Sequence, residues 1–384
     1  MNKIFKNLTL IFLIILLIYS PVSSEEDKLK IGILVPLTGE DKKIGELILK
    51  ATQLALKDIG IKKIQIYPKD TGSDPNQTLN SALEFSELGI NIVIGPVFYE
   101  NLNYLDKIEN ITFLSLTNKT IDLPKNVIST GINATSQINA IKKFIELKEL
   151  KKTFFLIPEI DYEAEVKKAI NQSKIKTSKI HVYSNEPTKL TKQIEKITNY
   201  KIRKQNLADE IKRVENSDLV DKEKQLEKLN KRYTIGRVKF DSVIISDFDE
   251  SLKSVITSLL YTDVSPKKKY FVTFNQWFDE SLINETSLQP LYYPSINKKN
   301  LDNFKKKFNK EFSLEPNHLS LLSYDLVGLI YYLSLQNEVS EISKVFKKKS
   351  SFKGKIGIFK IHNNKIYHKL NFYEVSNGKI KEIF

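Results

Sequence analysis

The chain has no cysteine, one methionine and one tryptophan in 384 residues. Without cysteine there are no disulfides, no thiolate metal sites, no cysteine nucleophile and no lipid-modified N-terminal cysteine. Several catalytic signatures are missing as well: GxGxxG, a phosphate-binding P-loop, GxSxG and HExxH. The four histidines, His181, His318, His362 and His368, are far apart and none falls in a ligand-like spacing. Acidic pairs such as Asp247 with Asp249, or Asp279 with Glu280, are the kind that serve acid–base or Ca²⁺ chemistry, and are equally common on solvated loops. The expectation is a protein that is not an enzyme and has no catalytic residue, no cofactor and no metal.

Long apolar runs are also missing beyond residue 24. Lys3 and Lys6 form a positive start, Leu8 to Tyr19 an apolar stretch, and Val22-Ser23-Ser24 a small-residue cleavage site, so residues 1–24 read as an export signal. The apolar stretch is shorter than the roughly 20 residues that span a bilayer. The mature chain is therefore expected to be periplasmic, with no transmembrane segment after cleavage and no lipid anchor; retention of the segment as an uncleaved membrane anchor is the alternative. The net charge of +14 invites a nucleic-acid reading. Lysines are scattered along every segment, however, and the export signal takes the chain away from the nucleoid, so no nucleic-acid partner is expected and a weak attraction to anionic envelope surfaces is the expected consequence of the charge.

What is present is an alternation. In KIGILVPLTGEDKKIGELILKATQLALKDIG (30–60), Ile31, Ile33, Leu34 and Val35 read as a strand buried on both faces, Pro36 to Gly39 as a loop, and Ile44, Leu47, Ile48, Ala51, Leu54 and Ala55 as one stripe of a helix that Gly60 ends. Strands are expected at 64–67, 92–94 and 112–115, with a capped helix after Ser73-Asp74-Pro75 and another at about 99–108. A second set follows Asn133, with strands at 154–157, 180–183, 242–245 and 270–273 and helices at 164–170, 300–310 and 319–334. Between them, 191–234 is charge-rich with narrow apolar seams (Leu207, Ile211, Val214; Leu226, Leu229, Tyr233), as in an αα-hairpin. From Phe352 the chain alternates apolar and polar residues around a turn at Asn363-Asn364, read as a hairpin extending one lobe's sheet. Serial βα units imply parallel sheets covered by helices, and 384 residues imply more than one core. Loops after such strands collect ligands, which makes Thr38 and Gly39 candidates.

Several segments, in order, resemble the type I periplasmic binding protein (leucine-binding protein) superfamily: residues 30–56, KDTGSDPNQTLNSALEFSELGINIVIGP (69–96), FLSLTN (113–118) and FFLIPEIDYEAEVKKAI (154–170). GPVFYENLNYL (95–105), 198–215, 240–264, FVTFNQWFD (271–279), 319–330 and 351–361 are similar to its penicillin-binding protein activator (LppC-type) branch in alphaproteobacteria. The resemblance implies two Rossmann-like α/β lobes joined by three crossovers, with a helical insertion at 191–234 in the second. Lobe 1 would comprise 29–133 and about 291–350, and lobe 2 134–290 and 351–384. It also implies cleft ligand positions at Thr38, Gly39, Tyr99, Thr117, Asn118, Tyr162 and Gln276. Tyr99 stands where amino-acid receptors place a small hydroxyl residue, and Glu163 replaces the glycine that follows the second lobe's tyrosine. Two functions follow from the resemblance. One is a non-catalytic regulator that docks an envelope peptidoglycan synthase. The other is a receptor that hands an amino-acid-like, branched-chain-type ligand to an ABC transporter permease. A cell-wall hydrolase would need two cleft carboxylates at a workable separation.

Overall fold

The structure, a computed structural model, describes residues 28–60, 64–177, 179–275, 277–278, 280–336 and 342–384. The expected export segment lies outside these, and among the described residues no helix is long and apolar enough to cross a membrane.

The first lobe runs β1 (Leu29–Val35), α1 (Lys42–Ile59), β2 (Ile64–Asp70), α2 (Pro75–Glu87), β3 (Ile92–Ile94), β4 (Thr112–Ser115) and β5 (Val127–Ser129). Its strands are parallel in the order β2-β1-β3-β4-β5. In β1 every residue but Lys30 is buried, as expected of a strand with helices on both faces. α1 carries no side-chain N-cap and ends at Gly60 in the left-handed conformation, while the Asp74 side chain caps α2 and Pro75 opens it. The expected helix at 99–108 is instead two short 3₁₀ turns, 100–102 and 105–107, because Tyr104 between them takes φ +73.

The chain then crosses to the second lobe through α3 (Ala134–Leu147), β6 (Thr153–Pro158), α4 (Glu163–Ser173), β7 (Lys179–Tyr183), α5 (Pro187–Ile197), α6 (Tyr200–Glu215), α7 (Lys222–Asn230), β8 (Ser242–Ile245), α8 (Asp249–Tyr261), β9 (Tyr270–Thr273), α9 (Ser281–Asn284) and β10 (Leu291–Ser295). α6 and α7 form the helical hairpin, with a small core of Leu207, Val214 and Leu229. It returns to the first lobe as α10 (Lys298–Phe312), α11 (His318–Ser334) and α12 (Ile342–Val345), with α10 and α11 packed on α1. The last passage is β11 (Ser350–Lys353), β12 (Ile358–His362), β13 (Lys365–Lys369), β14 (Asn371–Ser376) and β15 (Lys379–Glu382). The second sheet has the order β15-β14-β10-β9-β8-β6-β7, so β7-β6-β8-β9-β10 repeats the first lobe's arrangement and β14 and β15 extend it antiparallel. β10 thus belongs to the second sheet, and not to the first lobe, where the resemblance puts residues from about 291. The change of lobe falls after β10, where Lys298 N donates to Tyr373 Oη and Tyr373 Oη to Ile296 O.

The Asn363-Asn364 turn is present, with φ +50 and +56. The hairpin it closes pairs with β11 in a separate three-stranded sheet instead of extending a lobe's sheet. That sheet braces the crossovers. Asn133 Nδ2 donates to Ile366 O at 2.9 Å, and the buried His368 ring nitrogen Nε2 lies 2.8 Å from Thr130 O. Asp325, buried on α11, accepts the amides of Lys355 and Ile356, each at 2.8 Å. Its neighbour Tyr324 packs against Phe304 and donates to Asp58, which also pairs with Lys307.

At Gly95 (φ +111) an added Cβ would stand 2.0 Å from Leu34 O, so β1 and the loop after β3 approach as closely as backbone allows. Gly95→Ala should cost about 2 kcal/mol or more in denaturant unfolding, through strain and overpacking. Burial depresses His368 to about 4, so it is neutral in the fold and charges below about 6.5 when unfolded. Its contribution is therefore present above the unfolded value and lost as pH falls toward 4. The stability difference between the native protein and His368→Gln should shrink by roughly 3 kcal/mol between pH 6.5 and 4 in urea titrations. A difference independent of pH would contradict a buried neutral ring.

Candidate functional site

In sheets of this order the crevice opens where strand order reverses, at the carboxyl ends of β1 and β3 in the first lobe and of β6 and β8 in the second. In the first lobe a carboxylate of the protein itself sits there. Asp70, ending β2, accepts the Leu37 amide (2.6 Å), the Thr38 hydroxyl (2.5 Å) and the Gly72 amide (2.8 Å). Burial works to raise this carboxyl, but the Thr38 hydroxyl and the Leu37 and Gly72 amides outweigh it and hold it below the ordinary range. The second lobe repeats the device. Asp247, buried after β8, accepts the Tyr183 hydroxyl and the Phe248 amide, and burial pushes its carboxyl up.

The positions expected to meet a ligand are placed as follows. Thr38 spends its hydroxyl on Asp70, and Gly39 makes the turn at φ +74, with open space where a Cβ would stand. Tyr99 leans on the first lobe's second core cluster and donates to Ile121 O at 3.2 Å, with Lys119 Nζ 4.4 Å from its ring centroid. Thr117 is buried in a turn: its hydroxyl accepts the Lys119 amide, and its carbonyl accepts the Ser129 hydroxyl and the Gly131 amide. Asn118 beside it is half-buried. Tyr162 precedes α4 and packs on the main core, its hydroxyl buried without a partner and raised above the ordinary phenol range by burial and by Glu165. Gln276 lies outside the described residues. The fold thus brings Tyr99 and Thr117 to one side of the crevice, where they secure the 117–122 loop.

The residue that joins the lobes was not among those expected. Glu165, in the first turn of α4 and only 4% exposed, reaches the first lobe's loop after β4. One oxygen accepts the Thr120 amide at 2.5 Å and the Ile121 amide at 2.7 Å, and the other accepts the Thr120 hydroxyl at 2.7 Å. Lys168, one turn on, donates to Thr120 O at 2.8 Å. A signal was there to be read: Val166, Ala169 and Ile170 mark the buried face of α4, and Glu165 stands one turn before Ala169 on that face. A further contact between the lobes is Trp277, after β9, whose ring is tilted 35° to that of His318 at the head of α11, with centroids 5.0 Å apart.

Chemically this is a carboxylate held by two amides and a hydroxyl between two lobes. It is the arrangement a bound amino acid's carboxylate would make, supplied here by the protein's own side chain. Behind it lies a cavity of about 320 Å³ lined by Thr120, Leu123, Lys168, Gln172 and the 363–367 turn. None of the six expected residues that the structure describes lines this cavity. Glu165→Ala should leave the Thr120 and Ile121 amides without their acceptor. It is expected to cost about 2–4 kcal/mol and to speed hydrogen exchange at those two amides selectively. Unchanged exchange there would contradict a bridge between the lobes.

Comparison with known proteins agrees with this geometry. A family model described as periplasmic binding protein matches residues 28–200. No curated protein matches the sequence. Among solved structures, a putative branched-chain amino acid ABC transporter protein from Rhodospirillum rubrum superposes with TM-score 0.69 at 12% identity, covering 93% of this chain and 100% of that one. The C-domain of LpoA from Haemophilus influenzae, a regulator of PBP1A, gives 0.62 at 15% identity, covering 92% and 100%. The leucine-binding protein LivK from Thermotoga maritima gives 0.57 at 14%, covering 93% and 98%. With two sheets whose parallel strands share one order, the chain has the fold of the type I periplasmic binding proteins.

Proposed function

We propose that this protein is a non-catalytic docking protein of the periplasm that regulates a peptidoglycan synthase, in the manner of the penicillin-binding protein activators. The observation that carries the reading is Glu165. A solute receptor needs the amides and hydroxyls of its crevice free to meet a ligand, and closes when the ligand bridges the lobes. Here the Thr120 and Ile121 donors are taken by Glu165, those of Leu37 and Thr38 by Asp70, and Tyr99 occupies the place of a small hydroxyl residue. Closure without ligand suits a rigid docking body. Similarity to the LpoA C-domain supports a synthase as the partner, and the exposed α6–α7 hairpin supplies a surface beyond the two lobes.

The receptor reading, which draws on the branched-chain amino-acid proteins of the same fold, makes the opposite prediction for ligands. Leucine, isoleucine and valine at millimolar concentration should leave the melting temperature unchanged, whereas a receptor with micromolar affinity would gain about 4 kcal/mol at a thousandfold excess over Kd. In parallel, the tagged protein should recover a peptidoglycan synthase from its own envelope extract. Saturable binding of an amino acid, together with no synthase recovered, would overturn the proposal.

A further inference from the structure

The end of the second lobe's sheet opposite the crevice carries a second feature. Val238, Lys268 and Lys269 lie just before β8 and β9, at the amino ends of strands whose carboxyl ends face the crevice. There, at the foot of the helical hairpin, a groove of about 690 Å³ is lined by Lys231, Arg232, Arg237, Lys268 and Lys269. Its framework is built and internally satisfied. Arg203, buried on α6, donates to Thr262 O and the Thr234 hydroxyl, and Asp263, the one acid lining the groove, accepts from Thr234 and lies 3.6 Å from Arg203.

Of the cations that line the groove, Lys231 pairs with Glu227, while among the described residues Arg232, Arg237, Lys268 and Lys269 have no carboxylate partner. Clustered cations without counter-charges repel one another, a cost that an external anion relieves. Tyr233, which lines the groove beside Arg232, is 78% exposed. Cations beside an exposed tyrosine match a bilayer interface, where ammonium and guanidinium groups meet phosphates and the ring sits at headgroup depth.

We infer that this groove docks the protein on the phosphate headgroups of an anionic membrane surface, through Arg232, Arg237, Lys268 and Lys269 with Tyr233 at the interface. Docked by this end, the protein keeps its crevice and the loops around it turned away from the membrane. The inference does not depend on what the crevice holds.

The test is vesicle co-sedimentation of the mature protein purified from the periplasm of an expression host. It should sediment with phosphatidylglycerol-containing vesicles and stay in solution with phosphatidylcholine alone. R232E/R237E/K268E should lower binding about tenfold or more, while K347E/K348E/K349E, which reverses as many charges in another lysine triplet, should not. Y233S should also weaken binding, and circular dichroism should show each variant folded. Equal loss from both triplets would overturn the inference by reducing it to net charge. Full binding by Y233S, with soluble polyphosphate competing as well as vesicles do, would overturn it in favour of a soluble polyanion.

Discussion

Between the lobes of this protein sits a buried carboxylate that belongs to neither a ligand nor the loop it contacts. Taking the Glu165 carboxylate out of water is costly, and the cost is met only if its oxygens find good donors. They do so only in this relative placement of the lobes, because the donors, two amides and a hydroxyl of Thr120 and Ile121, are on the other lobe. The bond therefore specifies a geometry more than it adds stability. If the lobes part, water must replace the loop around the charge. If they stay, the Thr120 and Ile121 amides and the Thr120 hydroxyl remain occupied.

The surroundings of the bridge are consistent with that role. Tyr99 and Thr117 hold the 117–122 loop from within its own lobe, so its amides are presented in fixed directions. Lys168 fixes the carbonyl side of Thr120 from the lobe that carries Glu165. At the crossovers, Asp325 and His368 clamp the small third sheet onto α11 and the Thr130 backbone. A hinge so braced costs more to bend than a bare pair of crossing strands. The basic groove at the opposite end of the second lobe is separate from all of this, at the amino ends of β8 and β9.

Much of the fold was legible because burial on both faces leaves a plain mark. β3, residues 31–35 of β1 and residues 154–157 of β6 are apolar runs, and α1 shows its buried stripe at helical spacing. Elsewhere the pattern is masked: β10 carries Pro294, which lacks an amide and argues against a central strand, although β10 lies between β9 and β14. The expected helix at 99–108 failed because no periodicity foretells Tyr104 in a left-handed conformation. Site residues were legible as positions more than as roles. Thr38 and Thr117 do stand in the crevice loops, but what their hydroxyls bind depends on Asp70 and Lys119 being brought to them by the fold. Glu165 was passed over because an acid on a helix's buried face reads as one of several charges in EIDYEAE until its partner is seen 45 residues away in sequence.

The central claim is that the lobes are held together by this side chain and not by a solute. Since the native chain has no cysteine, two introduced cysteines, one at Lys43 and one at Asp161, would carry spin labels at those sites alone. Pulsed electron–electron resonance should then give one narrow distance distribution, identical with and without added leucine, that broadens or lengthens in Glu165→Ala. A long or broad distribution in the native background that shortens when an amino acid is added would contradict the claim.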